Sequence, residues 1–184
     1  MAFRIEPDSG QILEARQVSS PNQDERPDGV EIGLLVIHGI SLPAGSFGGS
    51  FVEDLFMNRL DAAAHESFLP LRQLRVSAHV FIRRDAEVIQ FVSLNRRAWH
   101  AGVSSFEGRG CCNDFSIGIE LEGTDHTPYE PAQYEVLDAL ITAVLKAYPG
   151  IHRGRIVGHC DIAPGRKTDP GPAFDWGRIG VVRF

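Results

Sequence analysis

At 184 residues, with 43% apolar and 23% charged side chains, the chain has the size and balance of one globular domain spanning residues 1–184, neither fibrous nor disordered in composition. Its formal net charge of −6 excludes a general electrostatic attraction to nucleic acid or to anionic membrane, which needs clustered excess Lys and Arg. The opening stretch Met1–Asp8 lacks the apolar run of a secretion signal and no later run approaches the ~20 residues of a membrane span, so a cytosolic protein is expected. Three cysteines, an odd number with Cys111 and Cys112 adjacent, make a poor disulfide framework and are read as thiols.

The turn formers between Ser20 and Gly29 mark a surface loop leading into the first core strand. The apolar run from Ile32 to Ile37 then reads as a buried strand that delivers His38 to the rim of a sheet. From Gly39 to Gly49 the chain is too glycine-rich for regular structure. Ser50 is placed to cap a helix carrying Phe51, Leu55, Phe56 and Leu60 at helical spacing. Between Val76 and Val92 the pattern predicts two strands joined by a hairpin at Arg83–Ala86, with His79 inside the first as a structural histidine.

Alternation is clearest in Ser116–Glu122. Ile117, Ile119 and Leu121 share one face, and Gly118, Glu120 and Glu122 share the other. Glu120 is therefore expected to project away from the aliphatic face, with Gly118 leaving space beside it for a ligand or another backbone. Pro131 opens a helix whose stripe is Tyr134, Leu137, Ile141, Val144, Leu145 and Tyr148, stopped by Pro149-Gly150. A short strand over Arg155–His159 follows, and Ala173–Trp176 begins a helical or irregular terminal segment. Strands and helices mix without a regular repeat, so the fold class is α/β, a central mixed sheet flanked by helices.

The loop Gly158–Gly171 packs His159, Asp161, Lys167 and Asp169 among Pro and Gly. Together with His38 this suggests a metal centre, because two histidines and one carboxylate leave zinc an open position of the catalytic kind. Asp161 lies nearer His159 in sequence, but its place after a strand suits a turn or cap. Cys160 is expected to be structural, since a strand running through it would point His159 and Cys160 to opposite faces.

Taken in order, Val36-Ile37-His38, Ser77-Ala78-His79, Arg97–Gly102, Asn113–Asp125 and Gly158–Pro164 resemble the zinc-dependent N-acetylmuramoyl-L-alanine amidases of the type 2 family. The similarity runs from about Ala15 to Trp176. It implies the fold shared with peptidoglycan recognition proteins, one zinc ion held by His38, His159 and Asp169, and Glu120 and Lys167 as the catalytic pair. The implied reaction is hydrolysis of the amide between the lactyl group of (1,6-anhydro-)N-acetylmuramic acid and L-alanine, in cytosolic peptidoglycan recycling. A muropeptide is then the partner, with no nucleic acid, membrane or obligate protein partner. The alternatives are a non-catalytic peptidoglycan-binding module and an autolysin acting on intact wall.

Substrate contacts are assigned to Arg75 and Arg109, which can grip peptide carboxylates, and to Trp99, His100 and Asn113 around the expected cleft. Two positions depart from relatives: Gly39 stands where Asn is frequent, and Cys111 where some carry Arg. Both changes point to altered substrate affinity rather than altered chemistry.

Overall fold

The computed structural model describes residues 2–183. In chain order its strands are β1 (Arg16–Gln17), β2 (Gln23–Asp24), β3 (Leu34–Ile40), β4 (Val80–Ile82), β5 (Val88–Gln90), β6 (Arg97–Ala98), β7 (Ser105–Phe106), β8 (Arg109–Gly110), β9 (Ser116–Glu122) and β10 (Ile156–Gly158). Six form one sheet in the order β1-β5-β4-β9-β3-β10. Only the β4–β5 hairpin pairs antiparallel within it, so the sheet is mixed, as expected. Among the described residues no helix is long and apolar enough to cross a membrane.

Strand β9 realises the alternation read from its sequence. Ile117, Ile119 and Leu121 are fully buried in the larger core beside Leu35 and Ile37 of β3 and Val80 and Ile82 of β4. Covering this face is helix α2 (Pro131–Ala147), which contributes Tyr134, Leu137, Leu140, Ile141 and Val144. Each such side chain stabilises by about 1.5–3 kcal/mol on burial. A one-residue slip of β9 would exchange three of them for Gly118, Glu120 and Glu122, which fixes the register.

The opposite face is covered by shorter elements. Helix α1 (Phe51–Phe56) packs Val52, Leu55 and Phe56 against Phe81, Ile89 and Phe91. Ser50 stands at its N-cap but makes no capping bond; its hydroxyl donates to Asp54 instead, 2.7 Å away. Helix α3 (His159–Ile162) buries Ile162 with Leu34, Val36, Ala101 and Phe115.

Three expectations are corrected. Gly39 and Ile40 belong to β3 rather than to the following loop, because they pair with Leu121 and Glu122 of β9. The strand after α2 ends at Gly158, and His159 and Cys160 begin α3, where the Ala163 amide donates to the His159 carbonyl. The space beside Gly118 holds a side chain: a Cβ there would lie 2.5 Å from the His100 ring. The β4–β5 turn is tight as predicted, with Ala86 at φ 70° taking the left-handed position usually given to glycine.

His79 is a structural histidine. It is completely buried, its Nδ1 accepts the Gly118 amide at 2.9 Å, and its Nε2 faces the Arg96 carbonyl at 3.0 Å. Burial, with the nearby Arg26 charge, pushes its pKa down to about 3. A folded-state pKa below the unfolded value of about 6.5 gives stability that is present above pH ~6.5 and lost as pH falls toward 3. We predict that His79→Asn, which keeps an acceptor for Gly118, flattens the acid side of the stability curve by about 1.4 kcal/mol per pH unit. Urea unfolding of both proteins between pH 7 and pH 4 measures this, and parallel curves would refute it.

Candidate metal centre

Three parallel strands end side by side, and each delivers a polar side chain near its carboxyl end, where open α/β sheets form their crevices. His38 near the end of β3 pairs in register with Glu120 of β9, so both side chains rise from the face opposite α2. His159 follows directly on β10, the other neighbour of β3. Asp169 is brought back over this edge by its carbonyl, which accepts the Cys160 amide at 3.0 Å.

His38, His159 and Asp169 each offer one ligand atom to a common point. The two Nδ1 atoms lie 3.0 Å apart, and Asp169 Oδ2 lies 3.3 Å from that of His38 and 3.1 Å from that of His159. Tetrahedral ligands about 2.0–2.1 Å from a zinc ion stand about 3.3 Å from one another, so the donor set fits that ion. These three side chains therefore form a possible metal site.

Electrostatics favour the same reading. Burial drives the His38 pKa down to about 4 against the pull of Asp169, which leaves a neutral imidazole with a lone pair to donate. For Asp169, burial works to raise the carboxyl, but the close His159 and His38 rings outweigh it and hold the group below the usual carboxylate range.

Glu120 behaves oppositely. Burial, reinforced by the Asp169 charge, pushes its carboxyl well above the ordinary range, with Lys167 opposing. Its Oε1 lies 3.9 Å from His38 Nδ1, and its buried Oε2 has no hydrogen-bond partner among the described residues. An unpartnered buried carboxylate oxygen is costly and calls for a ligand or water. Glu120, Lys167, Asp169, His159 and His100 line a cavity of about 220 Å³ whose lining also includes the apolar residues Leu55, Leu71 and Leu74. A larger depression of about 660 Å³ lies along Gln17–Gln23 and Gln90–Ser93 and contains none of these groups.

Asp161 is excluded from the cluster because its carboxylate accepts the Gly158 amide and the Arg183 guanidinium. Cys160 is half-buried with its sulfur 3.8 Å from Asp161, and all three cysteines are free thiols. Of the five proposed substrate contacts, only His100 lines the cavity. Arg75 is exposed and donates to the Leu74 and Arg72 carbonyls, while Arg109 stacks on the Phe115 ring at 4.1 Å. Trp99 is half-buried outside the lining. Asn113 is turned inward, its Oδ1 accepting the backbone amides of His100 and Ala101.

Sequence reasoning missed Tyr129. Its buried hydroxyl donates to the Pro170 carbonyl at 2.9 Å, tying down the residue after Asp169. A Cβ at Gly39 would lie 2.3 Å from that hydroxyl, so the glycine has a packing reason here. Tyr129→Phe leaves the carbonyl unpaired and is expected to cost about 1–3 kcal/mol in urea unfolding. A loss below about 0.5 kcal/mol would show that another donor takes over.

A family model described as N-acetylmuramoyl-L-alanine amidase matches residues 28–172. The chain is 55% identical over 176 residues to the 1,6-anhydro-N-acetylmuramyl-L-alanine amidase AmpD of Salmonella typhimurium (strain SL1344), covering 96% of this chain and 94% of that one. Among solved structures, a crystal structure of a selenomethionine AmpD derivative superposes with a TM-score of 0.92 at 54% identity, covering 96% and 98% of the two chains. The E. coli N-acetylmuramyl-L-alanine amidase AmiD, solved with anhydro-N-acetylmuramic acid-L-Ala-D-gamma-Glu-L-Lys, superposes with a TM-score of 0.60 at 28% identity, covering 97% of this chain and 65% of that one.

Proposed function

The chain belongs to the N-acetylmuramoyl-L-alanine amidase family, and we propose that it is a zinc enzyme cutting the lactyl–L-alanine amide of soluble 1,6-anhydromuramyl peptides in the cytosol. The observation that carries this reading is the convergence of His38, His159 and Asp169 beside a buried, unpartnered Glu120 oxygen. Identity above one half to AmpD over nearly the full length of both chains supports the anhydromuramyl substrate.

In this reading His38, His159 and Asp169 hold the ion. Zinc supplies Lewis acidity at neutral pH, toward water and toward the scissile carbonyl. Glu120, kept basic in a desolvated pocket, removes a proton from the attacking water and returns it to the L-alanine nitrogen, without which the amine leaves poorly. Its raised affinity for protons suits both halves of that task. Lys167 reaches the same cavity from the loop before Asp169, and its ammonium faces the negative charge that develops on the carbonyl oxygen. Apolar residues of the same lining, among them the buried Leu55 and Phe56, lower the local dielectric around Glu120 and strengthen its interactions.

The test is product analysis by mass spectrometry on an anhydromuramyl tripeptide, with metal content measured in parallel. The zinc-loaded protein is expected to release the free tripeptide and the anhydromuramic acid, and the chelated protein to release neither. Glu120→Gln and Lys167→Met are each expected to keep zinc and to lose about 10²–10⁴-fold in turnover. Near wild-type turnover in either variant would contradict the assigned roles. Muropeptide binding without stoichiometric metal would instead identify a non-catalytic module, and a preference for intact sacculi would identify a wall autolysin.

A further inference from the structure

Both ligating imidazoles are gripped from behind by one dipeptide, His100-Ala101. His38 Nε2 lies 2.9 Å from His100 Nδ1, and His159 Nε2 lies 3.3 Å from the Ala101 carbonyl oxygen. That dipeptide is itself fixed by the Asn113 side chain, whose Oδ1 accepts the His100 amide at 3.1 Å and the Ala101 amide at 2.8 Å.

The direction of every proton in this network follows from where it ends. His100 Nε2 lies 3.1 Å from Ser116 Oγ, and the Ser116 hydroxyl donates to the Cys112 carbonyl at 2.6 Å. A carbonyl can only accept, so Ser116 has used its single proton and must accept from His100. His100 therefore carries its proton on Nε2 and presents a lone pair at Nδ1. His38 must then donate from Nε2, which leaves the lone pair on Nδ1, the atom that faces His159 and Asp169. The Ala101 carbonyl imposes the same tautomer on His159. Gly118 supplies the room, since a Cβ at that position would overlap the His100 ring at 2.5 Å.

We propose that His100 is a positioning residue that locks His38 in its metal-binding tautomer, with Asn113 holding the His100-Ala101 bracket that serves both imidazoles. This rests on the zinc reading above. It reassigns His100 and Asn113 from substrate contact to control of the metal site, the role that partners behind ligating histidines play when they fix ring orientation and tautomer.

Two measurements decide it. In the zinc-loaded wild-type protein, long-range nitrogen–proton correlation spectra of the histidine rings are expected to show His38 and His100 protonated on Nε2. A His100 proton on Nδ1 would overturn the proposal, because that nitrogen could not then accept from His38. In competition with a chromophoric chelator, His100→Leu is expected to weaken zinc binding about 10–100-fold. His100→Asn, whose Oδ1 can replace the lost acceptor, is expected to recover most of that affinity. Wild-type affinity in the leucine variant, or equal loss in both variants, would overturn the proposal while leaving the zinc reading intact. A wild-type protein that takes up no zinc would remove both. Should the leucine variant fail to fold, the wild-type spectra still decide.

Discussion

Parallel pairing of β3 with β9 sets His38 level with Glu120, and the rest of the site is assembled on that register. The pairing is enforced from the far side of the sheet, where Leu35 and Ile37 of one strand and Ile117, Ile119 and Leu121 of the other are buried under α2. Because side chains alternate strictly along a strand, burying those five residues obliges His38 and Glu120 to rise from the other face. β10 then adds a third parallel strand on the outer side of β3, and the chain leaves it directly into His159. Hydrophobic packing on one face thus determines which polar groups meet on the other.

What meets there is electrically unusual. Four buried histidines, His38, His79, His100 and His159, occupy a small volume, and His38, His79 and His100 have burial as the main cause of a lowered pKa. Neutral imidazoles in a directed hydrogen-bond network are suited to donate lone pairs to a cation. Glu120 is desolvated beside them and is pushed toward stronger basicity. One environment therefore lowers the proton affinity of His38 and raises that of Glu120, a separation of titrating groups that marks acid–base sites.

Much of this was legible in the residues, and the parts that were not have a common cause. The alternation in Ser116–Glu122 declares its two faces because only one is apolar. Leu34–Ile37 is buried on both faces, so its apolar run announces a strand without saying which way His38 points. β10 ends earlier than its apolar pattern suggests because α3 begins on a local cap, the Gly158 amide to Asp161, and on a tertiary bond, the Cys160 amide to the Asp169 carbonyl, neither of which leaves a periodic trace. Asn113, His100 and Tyr129 likewise act through bonds to distant backbone or to another ring. Residue type alone made Asn113 look like a cleft residue, whereas His100 does line the cavity and also reaches back to His38. The family resemblance carried Asp169 over Asp161, and the three-dimensional contacts of Asp161 with Gly158 and Arg183 supply the physical reason.

The central claim is that His38, His159 and Asp169 hold one zinc ion. Anomalous diffraction collected on either side of the zinc absorption edge, from crystals grown with the metal, tests it most directly. A single strong peak is predicted within about 2.0–2.2 Å of both Nδ1 atoms and an Asp169 oxygen. A peak bound elsewhere, or none at a site whose three side chains are ordered, would contradict the account.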